Sequence, residues 1–385
     1  MANTLGVYDP IFYANEALIH LWKALGMATR VHLGYSEERK SFGKGQTISI
    51  RKPSTFSAVN APDTTGQDLA TETVNIVLDQ WKEVKFKLTD QELAFTQERI
   101  IDDHIAPAAY ALADNIDQAL TDLYKDVAFF DDLNATPGST VDDLLAPRKT
   151  LFDNNVPIQD SQFMHYMING TLEQGFLGLQ AFAQAQGAGL AGVDTQLRGT
   201  LGMRYGVEVF ANQNVKTHTK GTIDDTALEV NGAQTQGSTT IDLNAVDAGV
   251  AGTLVAGDTF SIAGNTQRYA VTALNTAAAN VFTNVDITPS LVQAYSDNDV
   301  VTVSADGHVA NLMFHRNAFA LVIAPLPEIG NELGARVATV SDPVTGLSLR
   351  SRIFYEANTS EVRVALDVLY GVKTLDPNLA TRGRG

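Results

Sequence analysis

The chain has 385 residues, 44% of them apolar and only 18% charged, with a formal net charge of −17 at pH 7. That length suits roughly two or three domains with real cores, and the acidic balance excludes a chain that grips nucleic acid through phosphate contacts over its whole surface. Cysteine is absent, which excludes disulfides, thiolate metal sites and cysteine nucleophiles; with no apolar run of about 18 residues and no charged-then-apolar leader, the sequence reads as neither membrane-spanning nor secreted.

The charge is uneven. Residues 39–52 hold Arg39, Lys40, Lys44, Arg51 and Lys52 and no acid, whereas 219–305 hold nine acids against Lys220 and Arg268. Opposite signs in different regions suit a subunit that pairs with its own copies. A low charged fraction beside ample apolar content points the same way, toward surface hidden against neighbours.

Residues 9–26 carry the first helical period. Asp9 can cap, Pro10 suits a first helical position, and Ile11, Ala14, Leu18, Leu21, Trp22 and Leu25 recur at helical spacing before Gly26. That isolated stripe must dock on its own chain or on another copy. Residues 46–88 read as a long two-stranded excursion, with alternation over Thr47 to Ile50, Val74 to Ile76 and Val84 to Leu88. Between them, Pro53 to Glu72 is polar and rich in Ser, Thr, Gly and Pro. A connection of about 20 residues fits an arm projecting from a core.

Residues 99–126 give the strongest helical signal. Ile105, Ala109, Leu112, Ile116, Leu120 and Leu123 form one stripe; Asp102, Asp103, Asp114, Asp117 and Asp122 take the other face. Pro107 should kink this helix or mark its start, and its full length would be about 40 Å at about 1.5 Å per residue. Residues 140–215 mix elements. Helices are expected from Val141 to Phe152, interrupted by Pro147, and from Thr171 to Ala185. Strands are expected at Phe163 to Ile168 and Tyr205 to Phe210, with a small-residue loop at Gln184 to Gly192.

Residues 219–305 change in kind. Short strands are predicted near 226–231, 237–242, 258–263, 267–274, 281–287 and 299–304, divided by turn signals such as Asn231-Gly232 and Gly264-Asn265. This reads as a small all-β module, barrel or sandwich, inserted into an α+β host. The host resumes with the apolar run Val309 to Leu321, is broken by Pro325 and Pro327, and ends in strands at 347–355 and 361–374. Within the apolar run, His315 reads as a satisfied core group. The tail Arg382 to Gly385 is expected to fray.

The order of these segments resembles the tailed-bacteriophage major capsid fold, and the β module resembles the insertion domain of the podovirus-type branch of coat proteins. Four phrases look like that branch: Leu254 to Gly264 (LVAGDTFSIAG), Ala227 to Ala233 (ALEVNGA), Asn311 to Phe319 (NLMFHRNAF) leading into Pro325-Leu326-Pro327, and Arg363 to Val372 (RVALDVLYGV) followed by Leu375-Asp376-Pro377. The resemblance implies an α+β chain in seven parts. Residues 1–38 would be an N-terminal helical arm, 39–90 an extended β-hairpin loop, and 91–139 a spine helix with a peripheral domain. Residues 140–218 and 306–345 would build an axial domain, 219–305 an inserted β-barrel domain, and 346–385 the C-terminal peripheral strands.

The same resemblance implies a shell subunit with no catalytic, metal or cofactor site. Its partners would be its own copies in pentamers and hexamers, a scaffolding protein, a portal protein, decoration proteins, and packaged double-stranded DNA met without sequence-specific contact. No membrane is involved; the location is the virion capsid, and the host cytoplasm during assembly. Arg39, Lys40, Lys44, Arg51 and Lys52 would meet an acidic patch of a neighbour, and Trp22 and Trp81 would anchor subunit contacts. Glu16 would meet a basic scaffold segment. An encapsulin-type nanocompartment shell, and a carbohydrate-binding or adhesion protein using the β module, are the alternatives.

Motifs for chemistry are sparse. Gly187 to Gly192 matches a dinucleotide fingerprint as a string, but no strand precedes it and no βαβ unit surrounds it, so a loop is the better reading. Asp102-Asp103-His104 are adjacent residues that cannot converge on a helix. Asp224-Asp225 and Asp297-Asn298-Asp299 lack calcium-loop spacing and read as turn acids. The seven histidines are scattered without zinc-protease spacing, and no Walker loop or nucleophile elbow is present. Some capsids of the resembled fold crosslink lysine to asparagine; Lys40 and Lys44 lie in the corresponding arm, with no partner singled out.

Overall fold

The computed structural model describes residues 10–34, 47–51, 73–89, 104–184, 190–223, 227–245, 252–278, 280–304, 306–328, 335–342, 346–356, 358–359 and 361–385. Helix α1 is Pro10–Ala24, with its proline at the first helical position where a missing N–H costs nothing. Tyr13, Ala14, Ala17 and Leu21 are buried while Ile11 and Ile19 are exposed, so the docking stripe is rotated from the expected one. Strands β1 (Thr47–Arg51) and β2 (Thr73–Val77) form an antiparallel hairpin, Thr47 opposite Val77 and Arg51 opposite Thr73. Strand β3 (Gln80–Thr89) leaves this hairpin and pairs elsewhere, which corrects the two-stranded reading of 46–88.

Helix α2 is Ala106–Thr121, continued by a 3-10 turn at Asp122–Asp126. Pro107 lies in the first turn of this α-helical part, which a π-helical turn at 104–105 precedes. The α-helical part measures about 24 Å at about 1.5 Å per residue, short of the span expected from 99–126. Asp102 and Asp103 lie outside the described residues. Asp117 is buried, against expectation, because its carboxylate accepts the Gly26 N–H at 2.6 Å and the Ala28 N–H at 3.1 Å. Burial raises its pKa, and these backbone donors oppose the rise.

Strand β4 is Phe130–Asp132, and helix α3, Asp142–Asp153, keeps Pro147 inside it. Proline cannot donate to the Asp143 carbonyl; the Tyr166 hydroxyl donates to it instead, at 3.4 Å. Strand β5 (Met164–Ile168) is wholly buried. The single helix expected over 171–185 is two, α4 (Gly170–Gly178) and α5 (Gln180–Ala183), separated by extended Leu179. Asn169 caps α4 by accepting the Leu172 N–H at 3.0 Å. Helix α6 (Leu190–Arg198) takes in residues 190–192 of the expected loop, and 185–189 lie outside the description. Strands β6 (Gly202–Arg204), β7 (Val207–Ala211) and β8 (Thr217–His218) follow.

The next strands are β9 (Ala227–Val230), β10 (Thr240–Ala245), β11 (Thr253–Leu254), β12 (Thr259–Ile262), β13 (Arg268–Val271), β14 (Asn275–Thr276), β15 (Val281–Thr288) and β16 (Val300–Ser304). Six of them close a barrel in the order β10-β15-β13-β12-β16-β9, while β11 and β14 pair separately. Alternation builds its core: Leu228, Val230, Ile241, Leu243, Phe260 and Phe282 all point inward and are buried. Closure leaves this sheet no open edge. Asn280 and Asn298 take positive-φ turn positions, and Asn284 takes one inside β15 where its register against β10 shifts, a conformation that asparagine tolerates.

The last strands are β17 (His308–His315), β18 (Phe319–Ala324), β19 (Arg336–Ser341), β20 (Ser348–Glu356), β21 (Glu361–Thr374) and β22 (Ala380–Arg384). The chain forms two compact units. The first comprises the described residues within 1–25, 32–116 and 320–375. Its sheet runs β18-β21-β20-β19, with β3 along β21 from Gln80–Tyr370 to Thr89–Glu361. Helix α1 packs on β19 and β20, and Tyr370 donates to Asn115 Oδ1 of α2 at 2.7 Å. The hairpin β1–β2 buries Ile48, Ile50 and Ile76 against Ala320, Val322 and Ala324. The described stretches of both expected arms therefore cover their apolar faces on their own sheet. They do not stand away from the core, because an apolar strand face gains about 25 cal/mol per Å² wherever it first finds cover.

The second unit comprises the described residues within 26–31, 117–319 and 376–385. It holds the barrel and a seven-stranded sheet in the order β4-β22-β17-β5-β7-β6, with β8 on β17. The C-terminal tail does not fray. Strand β22 lies between β17, antiparallel, and β4, parallel, and all five of its residues are buried. Among the described residues no helix is long and apolar enough to cross a membrane.

Candidate functional site

One face of the first unit's sheet carries a ladder of charges, because three strands place charged residues at alternate positions in matching register. On β3 these are Glu83, Lys85 and Lys87; on β21, Glu361, Arg363 and Asp367; on β20, Arg350 and Arg352. Asp367 is wholly buried and lies 2.5 Å from Arg350 Nη2 and 2.9 Å from Arg352 Nε. Arg352 also reaches Glu83, which Lys85 meets at 2.7 Å. Burial alone would raise the Glu83 pKa, but Lys85 and Arg352 outweigh it and hold the carboxyl below its ordinary value. Lys87 lies 2.7 Å from Glu361, and that bond above all keeps the Glu361 carboxyl low. Each cation has its acid at hand, so the face is a self-satisfied surface. A pair of this kind offsets part of the desolvation cost that would meet a lone charge covered by another protein.

Trp81 stands on the same face at the end of the ladder, 58% exposed, with the Arg350 guanidinium 5.8 Å from its ring. Of the other expected contact residues, Arg51 closes β1 and Trp22 lies in α1, but the side chains of both fall outside the described residues. Arg39, Lys40, Lys44 and Lys52 fall outside them entirely. Glu16 lies on α1, half-exposed, 3.3 Å from His20 one turn on. The ladder itself was missed, although its signal was present as charge at period two in Trp81 to Lys87, Arg350 to Arg352 and Glu361 to Asp367.

In the second unit, Tyr124, His218 and Asp258 line up as a hydroxyl, an imidazole and a carboxylate. His218 Nε2 lies 3.0 Å from Asp258 Oδ1 and its Nδ1 lies 3.2 Å from the Tyr124 hydroxyl. All three are buried, at 4%, 2% and 1% exposure. Burial raises the Tyr124 pKa, opposite to the shift an activated nucleophile needs. The set is a structural clasp. Asp297 accepts the Gly232 N–H at 2.7 Å and Asp299 the Ser296 N–H at 2.7 Å, so both are turn acids. His315 is buried beside Phe163, but its Nε2 has no hydrogen-bond partner among the described residues, which corrects the satisfied reading. Among the described residues no group of three His, Cys, Asp or Glu could hold a metal ion.

No family model and no curated protein matches the sequence. Solved structures do match. The Mycobacterium phage Che8 structure aligns over 93% of this chain and 90% of its own at 13% identity, with a TM-score of 0.51. The chain shares that fold. Two further matches are the capsid structure of the cyanophage P-SCSP1u (10% identity, 89% and 84% covered, TM-score 0.44) and the asymmetric unit of the bacteriophage PhiM1 mature capsid (12% identity, 89% and 82% covered, TM-score 0.44). At 13% identity the likeness is one of fold alone, and at that level the fold resemblance read from the order of segments is borne out.

Proposed function

We propose that this chain is a major capsid protein, a subunit that self-assembles in pentamers and hexamers into the icosahedral shell around the genome of a tailed double-stranded DNA phage. The observation that carries this reading is a likeness of fold along almost the whole of both chains. It is supported by polar clusters that are buried or already ion-paired, which suits a structural part.

In this reading residues 1–38 and 39–90 are the arms, with Arg39, Lys40, Lys44, Arg51, Lys52, Trp22 and Trp81 at contacts between copies. Residues 91–139 and 346–385 form the peripheral domain and 140–218 with 306–345 the axial domain. The barrel within 219–305 is an inserted domain, and it favours a phage shell over an encapsulin-type compartment. Scaffolding protein met through Glu16, a portal, decoration proteins and packaged DNA complete the partners, in the host cytoplasm and then in the virion. Many weak contacts per subunit add up, because closure makes each later contact intramolecular.

The test is negative-stain microscopy of the full chain, alone and coexpressed with the scaffolding protein of its own source. Closed shells or capsomers are expected. A monodisperse monomer in both preparations rejects the reading.

A further inference from the structure

Buried polar groups crowd together where the barrel joins the seven-stranded sheet. Asp258 turns one oxygen to His218 Nε2 and gives the other to the N–H groups of Gly221 and Val255, at 3.1 and 2.8 Å. Such an acceptor is a carboxylate, so His218 Nε2 carries the proton between them. His308 sits opposite His218 in the β8–β17 register, with ring centroids 5.1 Å apart. Its Nδ1 lies 2.6 Å from the Asp306 carbonyl, a bond that needs a proton on Nδ1. The lone pair is thereby placed on Nε2, which is buried with no hydrogen-bond partner among the described residues.

Neutral His308 fits this site and a charged one does not. A second proton on Nε2 would find no acceptor. It would also face Arg382 and Arg384 of β22 and the His218 ring of β8, with Lys216 just before that strand. The turn 122–126 adds Asp122, Tyr124, Lys125 and Asp126 to the surroundings, and the strand of His308 itself adds Asp306. The Asp122 carboxylate is about half exposed and lies near Lys125 and Lys216, and that of Asp306 is 72% exposed and lies 3.9 Å from Arg384. Asp258, buried with the histidines, is already committed to His218 and two backbone donors.

We propose that His308 is an acid-sensitive latch: neutral, it holds the barrel's two connecting strands to the host sheet, and protonated, it loosens that junction while the barrel stays closed. The barrel core is apolar apart from the Tyr269–Tyr295 hydroxyl pair, so mild acid leaves it untouched. Burial above all, with Arg382, His218 and Arg384 adding to it and the Asp306 carbonyl opposing, holds the imidazole down at about 4. The folded value lies below the ordinary 6.5. The latch is therefore complete above about pH 6.5 and is lost as the pH falls toward 4, raising the local opening constant by up to about 300-fold.

Hydrogen–deuterium exchange of the full chain at pH 7.5 and pH 4.5, corrected for intrinsic rates, reads this directly. Peptides over 216–221, 255–258 and 306–310 should lose protection together at low pH while 268–271 and 281–288 keep theirs. In His308→Phe the junction should stay protected at both pH values. Loss of protection across barrel and junction alike, or wild-type opening in His308→Phe, overturns the proposal. If that variant fails to fold, carbon-13 histidine spectra of the wild-type chain decide: a His308 midpoint between about 4 and 5 supports the latch, and one near 6.5 overturns it.

Discussion

Arg382 is 1% exposed and still carries a guanidinium. Its Nε donates to the Val127 carbonyl at 2.7 Å, joined there by Nη2, and Nη1 donates to the Gly257 carbonyl at 2.8 Å. Burial pulls its pKa down to about 10, which leaves it charged at neutral pH. Burying a cation costs several kcal/mol. The cost is offset because two carbonyls would otherwise be orphaned, and because the Tyr124 ring lies 5.6 Å beneath the charge. Gly257 must be glycine: its φ is +103°, and a Cβ there would lie 2.9 Å from His218. Arg382→Ala leaves both carbonyls buried without donors and should destabilise the chain by about 3 kcal/mol. The denaturant midpoint measures this; an unchanged midpoint would mean that water replaces the guanidinium.

At the scale of elements, one aromatic ring is among the ties between the barrel and the seven-stranded sheet. Phe130 of β4 lies between Arg384 of β22, 3.3 Å from its centroid, and Arg268 of β13, 3.8 Å away. Arg268 also donates to the Phe130 carbonyl at 3.2 Å. Inside, the barrel needs nothing from that host, since all six of its strands pair with one another and their inward residues make a continuous core. A closed sheet of this kind has both conditions for independent stability, a dry core and no open edge. Residues 219–305 expressed alone should give a well-dispersed amide spectrum. A collapsed spectrum would show that the core depends on its contacts with the seven-stranded sheet, the clamp at Phe130 among them.

For the molecule as a whole, the base of the hairpin is seated through Ile48, Ile50 and Ile76 and stays so without its tip. Deleting residues 54–72 should therefore leave a folded subunit whose melting midpoint is nearly unchanged. Under the capsid reading the same deletion should abolish closed shells in negative stain, because the contact it removes is made between copies. Normal shells from the deleted chain would reject the arm assignment. The net charge of −17 bears on assembly too: it makes self-association sensitive to salt, through screening at about 10 Å in 0.1 M salt.

Local pattern was enough for much of this. Period-two alternation marks the six barrel strands within 227–304, and they lie within a few residues of where alternation and turn signals place them, whereas the two-residue strands β11 and β14 carry too short a pattern to be found. Helical periodicity found α1, α2 and α3. The order of segments was enough for the fold resemblance. The tertiary structure decided which apolar stripe docks, where β3 pairs, why Asp117 is buried, and that Ala380–Arg384 form an inner strand. Those outcomes depend on partners distant in sequence, as Asp117 depends on Gly26 and Arg382 on Val127 and Gly257. Periodicity reports which face of an element wants cover; only the assembled chain decides what covers it.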